Sequence, residues 1–231
     1  MLILKDIHTY YGESYIIQGI SLNISQGECI TLLGRNGAGK TTTIRSVIGL
    51  TPPRKGKVLF KGKEIQGKQP FEINRNGIGY VPQGRRLFST LTVMENLKIS
   101  VQNKRNGGWT TDRVFDVFPV LGMRKANRGN QLSGGEQQML TIARALMGNP
   151  ELVLFDEPTE GLSPMVIEEV VKTMKQLKTE GITCFLVEQN LDATYLLTDR
   201  YYILQQGRMV YTASKEEFET SHEIKRKFLG V

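Results

Sequence analysis

The sequence predicts an α/β fold built around a phosphate loop, and two stretches carry that prediction. Residues 34–41 match the pattern G-x-x-x-x-G-K-[ST] and lie between an apolar run, residues 29–33, and a segment that can continue as a helix from Thr42. A second apolar run, residues 152–155, is the kind of strand found in the centre of a parallel sheet. Together they indicate a strand, a loop and a helix in the order that this pattern requires.

The glycine-rich loop is suited to binding a polyphosphate. Its glycines let the backbone turn its N–H groups inward at the positive end of a helix. Lys40 would neutralise the β- and γ-phosphates, and the Thr41 hydroxyl would be a ligand of Mg²⁺. The residues expected to contact nucleotide are Gly34, Arg35, Asn36, Gly37, Ala38, Gly39, Lys40, Thr41 and Thr42. The alternative is a glycine-rich turn without a ligand.

Composition sets the limits on the class of protein. The chain has 231 residues, of which 39% are apolar, which suffices for one large or two small domains. No apolar run approaches the roughly 20 residues of a membrane-spanning helix, and residues 1–6 lack a signal-peptide pattern. We therefore expect a cytosolic protein. Cys29 and Cys184 lie in apolar runs without metal or redox spacing, which predicts buried, inert thiols.

The net charge of +7 raises the question of an anionic partner. The basic residues are scattered, with small clusters such as Arg85-Arg86 and residues 225–227, and aromatic residues are not interleaved with them. This pattern disfavours nucleic acid. It favours a solvated basic surface, as expected near an anionic membrane face.

The N-terminal part reads as strands over residues 2–8 and 17–24, with Tyr11 between them. An aromatic ring beside a glycine can stack on a purine, although a plain turn tyrosine fits the local sequence equally well. Further strands are predicted over residues 57–60 and 78–81. The second of these ends at Pro82-Gln83.

Residues 85–150 have a different texture and read as a mostly helical insertion, with a polar loop at residues 103–109. Within it, Ser133 stands where an N-cap would precede a helix with apolar residues at 139, 142, 143 and 146. The first turn of that helix would offer free N–H groups to an anion. An ordinary capped helix fits the same residues.

Two acidic residues follow the apolar strand at 152–155. A carboxylate at the end of a central strand beside a phosphate loop can hold Mg²⁺, which is the role expected of Asp156. Glu157 would then orient or deprotonate the attacking water. Two acids at a strand exit are also common without any such role.

Taken together, these residues resemble one family, the nucleotide-binding subunits of ABC transporters. Four motifs occur in the family's order: the phosphate loop, the loop glutamine at Gln83, the signature Leu-Ser-Gly-Gly-x-Gln at residues 132–137, and the strand followed by Asp156-Glu157. The resemblance covers essentially the whole chain. It implies a P-loop NTPase of the ABC ATPase type, an α/β fold with an N-terminal antiparallel β region and a helical subdomain inserted in a mainly parallel core sheet.

The resemblance also implies how the chain is organised and what it binds. It implies a single ABC ATPase domain over residues 1–231, with residues 1–84 and 151–231 as the α/β core and residues 85–150 as the helical subdomain. ATP and Mg²⁺ would be bound, with Tyr11 stacking on adenine. Residues of the signature would cap the ATP of a partner chain in a head-to-tail dimer: Ser133, Gly134, Gly135 and Glu136. Gln83 would contact both nucleotide and metal.

The same resemblance implies the partners and the location. These are membrane permease subunits docked on the helical insertion, a second ATP-binding subunit and an extracytoplasmic substrate-binding protein, with no nucleic acid. A heterodimer is expected, and a homodimer is open for the isolated chain. The chain would lie in the cytoplasm, peripheral on the inner face of the cell membrane.

Two positions depart from the family's pattern. Most of the family has a histidine where this chain has Gln189, and an aspartate where it has Ser163. The chain's histidines, His8 and His222, lie far from the motifs in sequence and read as surface or packing residues. Since an amide still donates a hydrogen bond, we expect Gln189 to slow hydrolysis at this chain's own site rather than to abolish it.

The wording around Gln83, Pro158 to Pro164 and residues 187–190 resembles the second ATP-binding subunit of bacterial branched-chain amino acid importers. Urea and short-chain amide importers are close relatives and stand as the alternative. Two other interpretations are a weakly hydrolytic, ATP-dependent partner subunit and an ABC ATPase acting on nucleic acid or ribosomes. The last usually needs duplicated ATPase halves or a long insertion.

Overall fold

The computed structural model describes residues 1–101 and 108–228, apart from the side chain of His222. Within these ranges the strands are β1 Leu2–Tyr11, β2 Ser14–Ile24, β3 Cys29–Leu33, β4 Lys55–Phe60, β5 Lys63–Glu64, β6 Ile78–Val81, β7 Leu152–Asp156, β8 Thr183–Val187, β9 Arg200–Gln205 and β10 Arg208–Ser214. The helices there are α1 Lys40–Val47, α2 Pro70–Arg75, α3 Val93–Ile99, α4 Thr111–Val117, α5 Pro119–Met123, α6 Gly134–Leu146, α7 Pro164–Thr179, α8 Leu191–Tyr195, α9 Lys215–Thr220 and α10 His222–Phe228, with a 3₁₀ turn at Gly129–Gln131.

The strands form two sheets. The first is antiparallel, in the order β2-β1-β4-β5. The second has the order β10-β9-β3-β8-β7-β6, and every neighbouring pair from β9 to β6 is parallel. Only β10 joins it antiparallel, as the outer half of a hairpin with β9. This confirms the α/β class with an N-terminal antiparallel region and a mainly parallel core sheet.

The parallel sheet is covered on both faces, which explains its uninterrupted apolar strands. Successive side chains of a strand point to opposite faces. In β7, accordingly, Val153 and Phe155 belong to the apolar cluster that contains residues of α6 and α7. Leu152 and Leu154 belong instead to the cluster that contains residues of α1 and of the antiparallel sheet. Helix α1 therefore lies between the two sheets.

The parallel register brings the loops that follow β3, β6, β7 and β8 to one edge of the sheet. Carboxyl ends of parallel strands meet at the same edge, where α/β proteins bind their ligands. The loops that begin at Gly34, Pro82, Glu157 and Glu188 start there. Every motif of the core named in the sequence except Tyr11 belongs to one of these loops or to the helix that follows it.

Several boundaries differ from the sequence prediction. Tyr11 is the last residue of β1 rather than part of a long connection, because Gly12 (φ 55°) and Glu13 close a tight hairpin with Tyr11 opposite Ser14. Helix α1 begins at Lys40, two residues earlier than expected. Helices α2 and α8 were missed because each is only five or six residues long.

The insertion and its neighbours mostly follow the prediction. Ser133 is the N-cap of α6, and its hydroxyl accepts the Glu136 N–H. Ser163 is the N-cap residue of α7, but its side chain makes no capping hydrogen bond, and Pro164 at the first position marks the helix start instead. Trp109 is buried in a core cluster, as a local anchor. Of the polar loop expected at residues 103–109, residues 103–107 lie outside the described residues, and the division at residues 85 and 150 stays a prediction.

No helix within residues 1–101 or 108–228 is both long enough and apolar enough to cross a bilayer. Cys29 and Cys184 are buried free thiols side by side on β3 and β8, as predicted. A hydrogen bond with the Cys184 thiol and burial raise the pKa of Cys29 well above its usual value, which keeps that thiol protonated.

Gly207 lies in the turn of the β9-β10 hairpin and connects that hairpin to the phosphate loop and to β2. Its N–H donates to the Ala38 carbonyl of the phosphate loop at 2.9 Å, and its carbonyl accepts from the Gln18 N–H of β2 at 2.8 Å. Its φ is 76°, and a β-carbon added there would lie 1.9 Å from the Ile16 carbonyl oxygen.

We therefore predict that Gly207→Ala lowers the free energy of unfolding by about 3 kcal/mol or more. Left-handed backbone costs an L-residue about 1–2 kcal/mol, and overpacking adds about 1–3 kcal/mol. Urea unfolding followed by circular dichroism measures the change. The control is Gly181→Ala, since Gly181 has a φ of 83° but open space around its α-carbon. Equal losses in the two variants would contradict a close approach at Gly207.

Candidate active site

The phosphate loop runs from Gly34 to Gly39 and leads directly into α1. The first helical turn leaves its N–H groups without intrahelical acceptors, so they point toward the loop as donors for an anion. Two cavities adjoin the loop. One, of about 700 Å³, is lined by Gly34, Arg35, Ala38 and, from the other strand ends, Glu188. The second, of about 430 Å³, is lined by charged and amide side chains, among them Lys40, Glu157 and Gln189.

The smaller cavity brings together most of the predicted site residues. Its lining includes Tyr11, Asn36, Gly37, Gly39, Lys40, Thr41, Thr42, Gln83, Glu157 and Gln189. These residues come from β1, α1 and the loops after β3, β6, β7 and β8. Four strand ends therefore contribute to one site.

Lys40 lies at the base of this cavity, and only 4% of its surface is exposed. Its ammonium donates to the Gly34 carbonyl at 2.9 Å and lies 3.4 Å from Oε1 of Glu157. A buried charge needs such partners. The lysine is thus held between its own loop and the glutamate, within reach of an anion bound at the helix start.

Asp156 lies beside Thr41 at the end of β7. The Thr41 hydroxyl donates to Oδ1 at 2.9 Å, and the Tyr80 hydroxyl donates to Oδ2 at 3.2 Å. Burial raises the pKa of Asp156, while the hydrogen bonds from Thr41 and Tyr80 offset part of that rise. Burial and the nearby Asp156 charge in turn raise the pKa of Tyr80, so its hydroxyl remains a donor.

The donor set beside the loop fits magnesium. A threonine hydroxyl and a carboxylate are hard oxygen ligands, the type that Mg²⁺ prefers, and the remaining ligands would be phosphate and water oxygens. Within the described residues there is no cluster of three or more His, Cys, Asp or Glu side chains that would hold a metal ion alone. Thr41 and Asp156 are the residues that would bind Mg²⁺ together with a polyphosphate.

Glu157 is held by several polar contacts at the end of β7. Three cationic or amide groups surround its carboxylate: Nζ of Lys40 at 3.4 Å, Nε2 of Gln83 at 3.2 Å and Nε2 of Gln189 at 2.7 Å. Its backbone has a φ of 48°, which is uncommon outside glycine and costs of order 1–3 kcal/mol. The side chain is thereby fixed at the strand end, facing the phosphate loop.

The side-chain amide of Gln189 donates a hydrogen bond to Oε1 of Glu157 at 2.7 Å. The amide nitrogen and oxygen are assigned from this network, since a carboxylate can only accept. The structure therefore places Gln189 on the glutamate. It acts as a donor that holds the carboxylate, and an amide cannot take up or release a proton at neutral pH.

Gln83 lies between two acids. Its Nε2 donates to Glu160 at 2.8 Å as well as to Glu157. The predicted contact of Gln83 with a metal is untested, and in the structure its amide nitrogen faces these two carboxylates. Gln83 joins the loop after β6 to the loop after β7.

Tyr11 is 41% exposed at the mouth of the same cavity. Its hydroxyl accepts from Nη1 of Arg45 on α1 at 3.4 Å. A half-exposed ring held at one end is able to stack on a base whose phosphates lie in the loop.

The signature residues do not join this site within one chain. Ser133, Gly135 and Glu136 line a separate groove of about 410 Å³ beside α5 and α7. The Glu136 carboxylate accepts from the Ser133 N–H at 2.7 Å and pairs with Arg124 at 3.5 Å. Any role for these three residues toward nucleotide therefore requires a second chain.

Sequence reasoning overlooked Glu188. It is 2% exposed, its Oε1 accepts from the N–H and hydroxyl of Thr159, and its Oε2 accepts the Gln189 N–H at 2.7 Å. It thus holds the loop after β7 against the loop after β8. Its position directly after the apolar strand β8 is the signal that identified Asp156 and would have identified Glu188.

Of the two histidines, His8 is described. Its Nε2 lies 3.2 Å from Asp6, and its Nδ1 is hydrogen-bonded to the Tyr15 hydroxyl. Both partners lie on the antiparallel sheet, so His8 does not reach the cavity. The interpretation of the His222 side chain falls outside the described residues.

Comparison with known proteins agrees with this geometry. The family described as ABC transporter matches residues 17–160. The high-affinity branched-chain amino acid transport ATP-binding protein BraG of Pseudomonas aeruginosa is 40% identical over 232 residues, covering 100% of both chains. The lipopolysaccharide export system ATP-binding protein LptB of Haemophilus influenzae is 32% identical over 238 residues, covering 100% of this chain and 97% of LptB.

A third relative and a solved structure extend the comparison. A probable branched-chain amino acid transport ATP-binding protein, LivF of Archaeoglobus fulgidus, is 32% identical over 234 residues, covering 100% of this chain and 99% of LivF. A dimeric, post-hydrolysis ATP-binding cassette bound to ADP and Pi superposes with a TM-score of 0.82 at 27% identity, covering 93% of this chain and 99% of that one.

We predict that Asp156→Asn raises the melting temperature of the protein at about pH 7.5 without added nucleotide. Because the folded-state pKa of Asp156 is raised, ionisation of the buried carboxyl costs folding free energy above that pKa, and the cost disappears below the unfolded value of about 3.9. The gain from asparagine should therefore shrink as the pH is lowered.

Thermal unfolding of parent and variant at about pH 7.5 and at about pH 4, close to the unfolded-state pKa of an aspartate, measures this difference. Asp116→Asn removes the same charge from an exposed position on α4 and serves as the matched control. An Asp156→Asn variant that melts below the parent at the higher pH would contradict the argument.

Proposed function

The chain belongs to the ABC transporter family, and we propose that it is the ATP-binding subunit of an importer of amino acids, of the branched-chain class. It is an ATPase, as its family and its structural relatives are. The observation that carries the proposal is the convergence of Lys40, Asp156, Glu157 and Gln189 on one phosphate loop. The 40% identity to BraG over both complete chains supports the choice of solute.

Two other transport functions remain as alternatives to branched-chain amino acid import. Urea or short-chain amides are the alternative that the sequence wording near Gln83 and Gln189 left open. Glycolipid export is a second, since LptB is 32% identical over almost its full length. The solute itself would be recognised by other subunits.

In the proposed site, ATP binds with its phosphates on the loop from Gly34 to Thr42. Lys40 neutralises the β- and γ-phosphates, and the free N–H groups of the first turn of α1 donate to phosphate oxygens. Adenine stacks on Tyr11. Thr41 and Asp156 would hold Mg²⁺, which would supply positive charge to the phosphate oxygens.

Glu157 is proposed as the catalytic carboxylate. It orients a water molecule in line with the γ-phosphorus and accepts a proton from it as the new oxygen–phosphorus bond forms and the bond to the ADP oxygen breaks. Gln189 and Gln83 fix the carboxylate in position through their amide N–H groups. Because Gln189 cannot carry a positive charge, it stabilises the developing negative charge less than a protonated histidine would.

A complete site is proposed to need a second ATP-binding subunit. Cassettes of this family dimerise and pair with permeases. The groove beside Ser133 and Gly135 would cap ATP on the partner's phosphate loop, with the helix N-terminus of α6 facing its γ-phosphate. In a heterodimer, slowed hydrolysis at this chain's loop would leave its contribution to the partner's site intact.

The permeases are proposed to dock on a groove of about 330 Å³ between α2, α3 and α6. Two exposed apolar residues line it, Phe71 (57% exposed) and Ile99 (56% exposed). Phe88, also exposed, stacks on Arg144 of the same groove at 5.2 Å. Exposed apolar residues grouped around a groove indicate an interaction surface. Docking there would hold the subunit at the cytoplasmic face of the membrane. An extracytoplasmic substrate-binding protein is proposed as a further part of the assembled system.

We predict that Glu157→Gln lowers kcat for ATP hydrolysis by about 10²–10⁴-fold, because it removes the base, while Gln189→His raises kcat above the parent. Steady-state phosphate release by the purified chain measures both. Glu168→Gln, on the exposed face of α7, is the control for loss of a carboxylate.

Binding of a fluorescent ATP analogue separates chemistry from affinity in the same variants. Retained binding with lost turnover in Glu157→Gln supports the assignment. Parent-like turnover in Glu157→Gln would rule out Glu157 as the catalytic carboxylate. If Gln189→His has no more activity than an inactive parent that binds ATP, the chain acts as an ATP-dependent clamp that needs its partner.

For the transported solute, we predict that cells of the source organism lacking this chain lose high-affinity uptake of radiolabelled leucine. Re-expression of the parent chain restores uptake, and Lys40→Ala, which removes the phosphate-binding ammonium, does not. Urea uptake and outer-surface glycolipid are measured in the same strains. A selective loss of either of those, with leucine uptake intact, would assign the chain to the corresponding alternative system.

A further inference from the structure

We propose that Arg85 is a positioning residue of the ATPase: its guanidinium ties together the Gln83 loop, the loop after Glu157 and the start of the signature helix α6. The proposal rests on the ATPase site described above and adds a residue to it. In the sequence, Arg85 was noted only as part of a small basic cluster. Its surroundings show a specific fit.

The guanidinium lies across two backbone carbonyls of the loop that carries Glu157. Its Nη2 donates to the Gly161 carbonyl at 2.6 Å and to the Glu160 carbonyl at 3.4 Å. Two residues earlier, Gln83 donates to the side chains of Glu157 and Glu160. The side chains of Gln83 and Arg85 therefore hold residues 157–161 through hydrogen bonds to both side chains and backbone carbonyls of that loop.

Two glycines, on different elements, leave room for the guanidinium. A β-carbon on Gly134, at the start of α6, would lie 2.5 Å from Nη1 of Arg85. A β-carbon on Gly161 would lie 3.2 Å from Nη2. The guanidinium thus occupies a space bounded by the signature on one side and by the loop after Glu157 on the other.

The backbone of Arg85 adopts a strained conformation in the arrangement that makes these contacts. Its φ is 52°, in a region that non-glycine residues rarely adopt. The next residue is fixed from the opposite side, because the Arg144 guanidinium of α6 donates to the Arg86 carbonyl. Such strain persists only where the surroundings determine the conformation.

The consequence is that two functional parts move together. Glu157 serves this chain's own phosphate loop, whereas the residues around Gly134 face the groove proposed to serve the partner's ATP. Arg85 connects both to the segment that leads to Phe88 and the proposed permease groove. Nη2 carries two N–H groups that reach the two carbonyls, while the planar guanidinium places Nη1 against Gly134. An ammonium does not reproduce this flat shape.

The test compares Arg85→Met, Arg85→Lys and the control Arg86→Met in the full chain, with Glu157→Gln as reference. Arg86 is the adjacent arginine, with an exposed side chain. Arg85→Met is expected to lower kcat about 10-fold or more, since a shift of about 1 Å at a reacting group can cost about 100-fold. KM for ATP and the melting temperature should match the parent, Arg85→Lys should recover part of kcat, and Arg86→Met should leave kcat unchanged.

Hydrogen exchange gives a readout that does not depend on turnover. In Arg85→Met, the amides of Glu160 and Leu162, which bond to carbonyls of their own loop, should exchange faster than in the parent and in Arg86→Met. Parent-like kcat in Arg85→Met, or equal losses in Arg85→Met and Arg86→Met, would overturn the proposal. If parent turnover is too slow to measure, unchanged exchange in Arg85→Met overturns it. Activity that survives Glu157→Gln would instead count against the proposed catalytic site.

Discussion

The parallel register of β3, β8, β7 and β6 is the constraint on which the site depends. It places the phosphate loop, Gln189, Glu157 and Gln83 at successive strand ends along one edge of the sheet. Both faces of these strands are buried, between a cluster with α6 and α7 on one side and α1 with the antiparallel sheet on the other, and this burial stabilises that order. A shift of one strand by one residue would exchange its two faces and turn its loop away from the cavity.

Features that depend on local order were predictable from the sequence. The phosphate loop, the N-cap Ser133 and the acids after β7 each follow from a strand or helix and the residues directly beside it. Contacts between loops were not. Gln83 with Glu160, Glu188 with Thr159 and Arg85 with Gly161 all join residues at least 29 positions apart, and sequence spacing does not show which strand ends become neighbours. Tyr11 lies between these cases: it lines the cavity, and its stacking on a base stays a prediction. Its position at the end of a strand results from the tight hairpin at Gly12.

The two glutamines give the site its particular character. Both amides donate to Glu157, which keeps the carboxylate oriented without any group that titrates near neutral pH. An imidazole at Gln189 could add a positive charge near the γ-phosphate, and an amide cannot. Gln189 holds Glu157 in the structure. In the proposed mechanism, charge stabilisation would fall to Lys40 and a bound cation, and slowed hydrolysis at an otherwise intact site is the expected consequence.

The signature and the phosphate loop line different cavities, which supports the proposal that a complete ATP site needs two chains. Ser133 and Gly135 face a groove that none of the predicted phosphate-loop residues line, so the helix N-terminus of α6 can act only on a nucleotide brought by another chain. If Arg85 ties this groove to the loop of Glu157, a nucleotide bound at either place biases the same contact. Coupling of that kind requires differential contacts in two states rather than proximity alone. The guanidinium between Gly134 and Gly161 would provide such a contact if it forms only when the start of α6 and the loop after Glu157 are both in place.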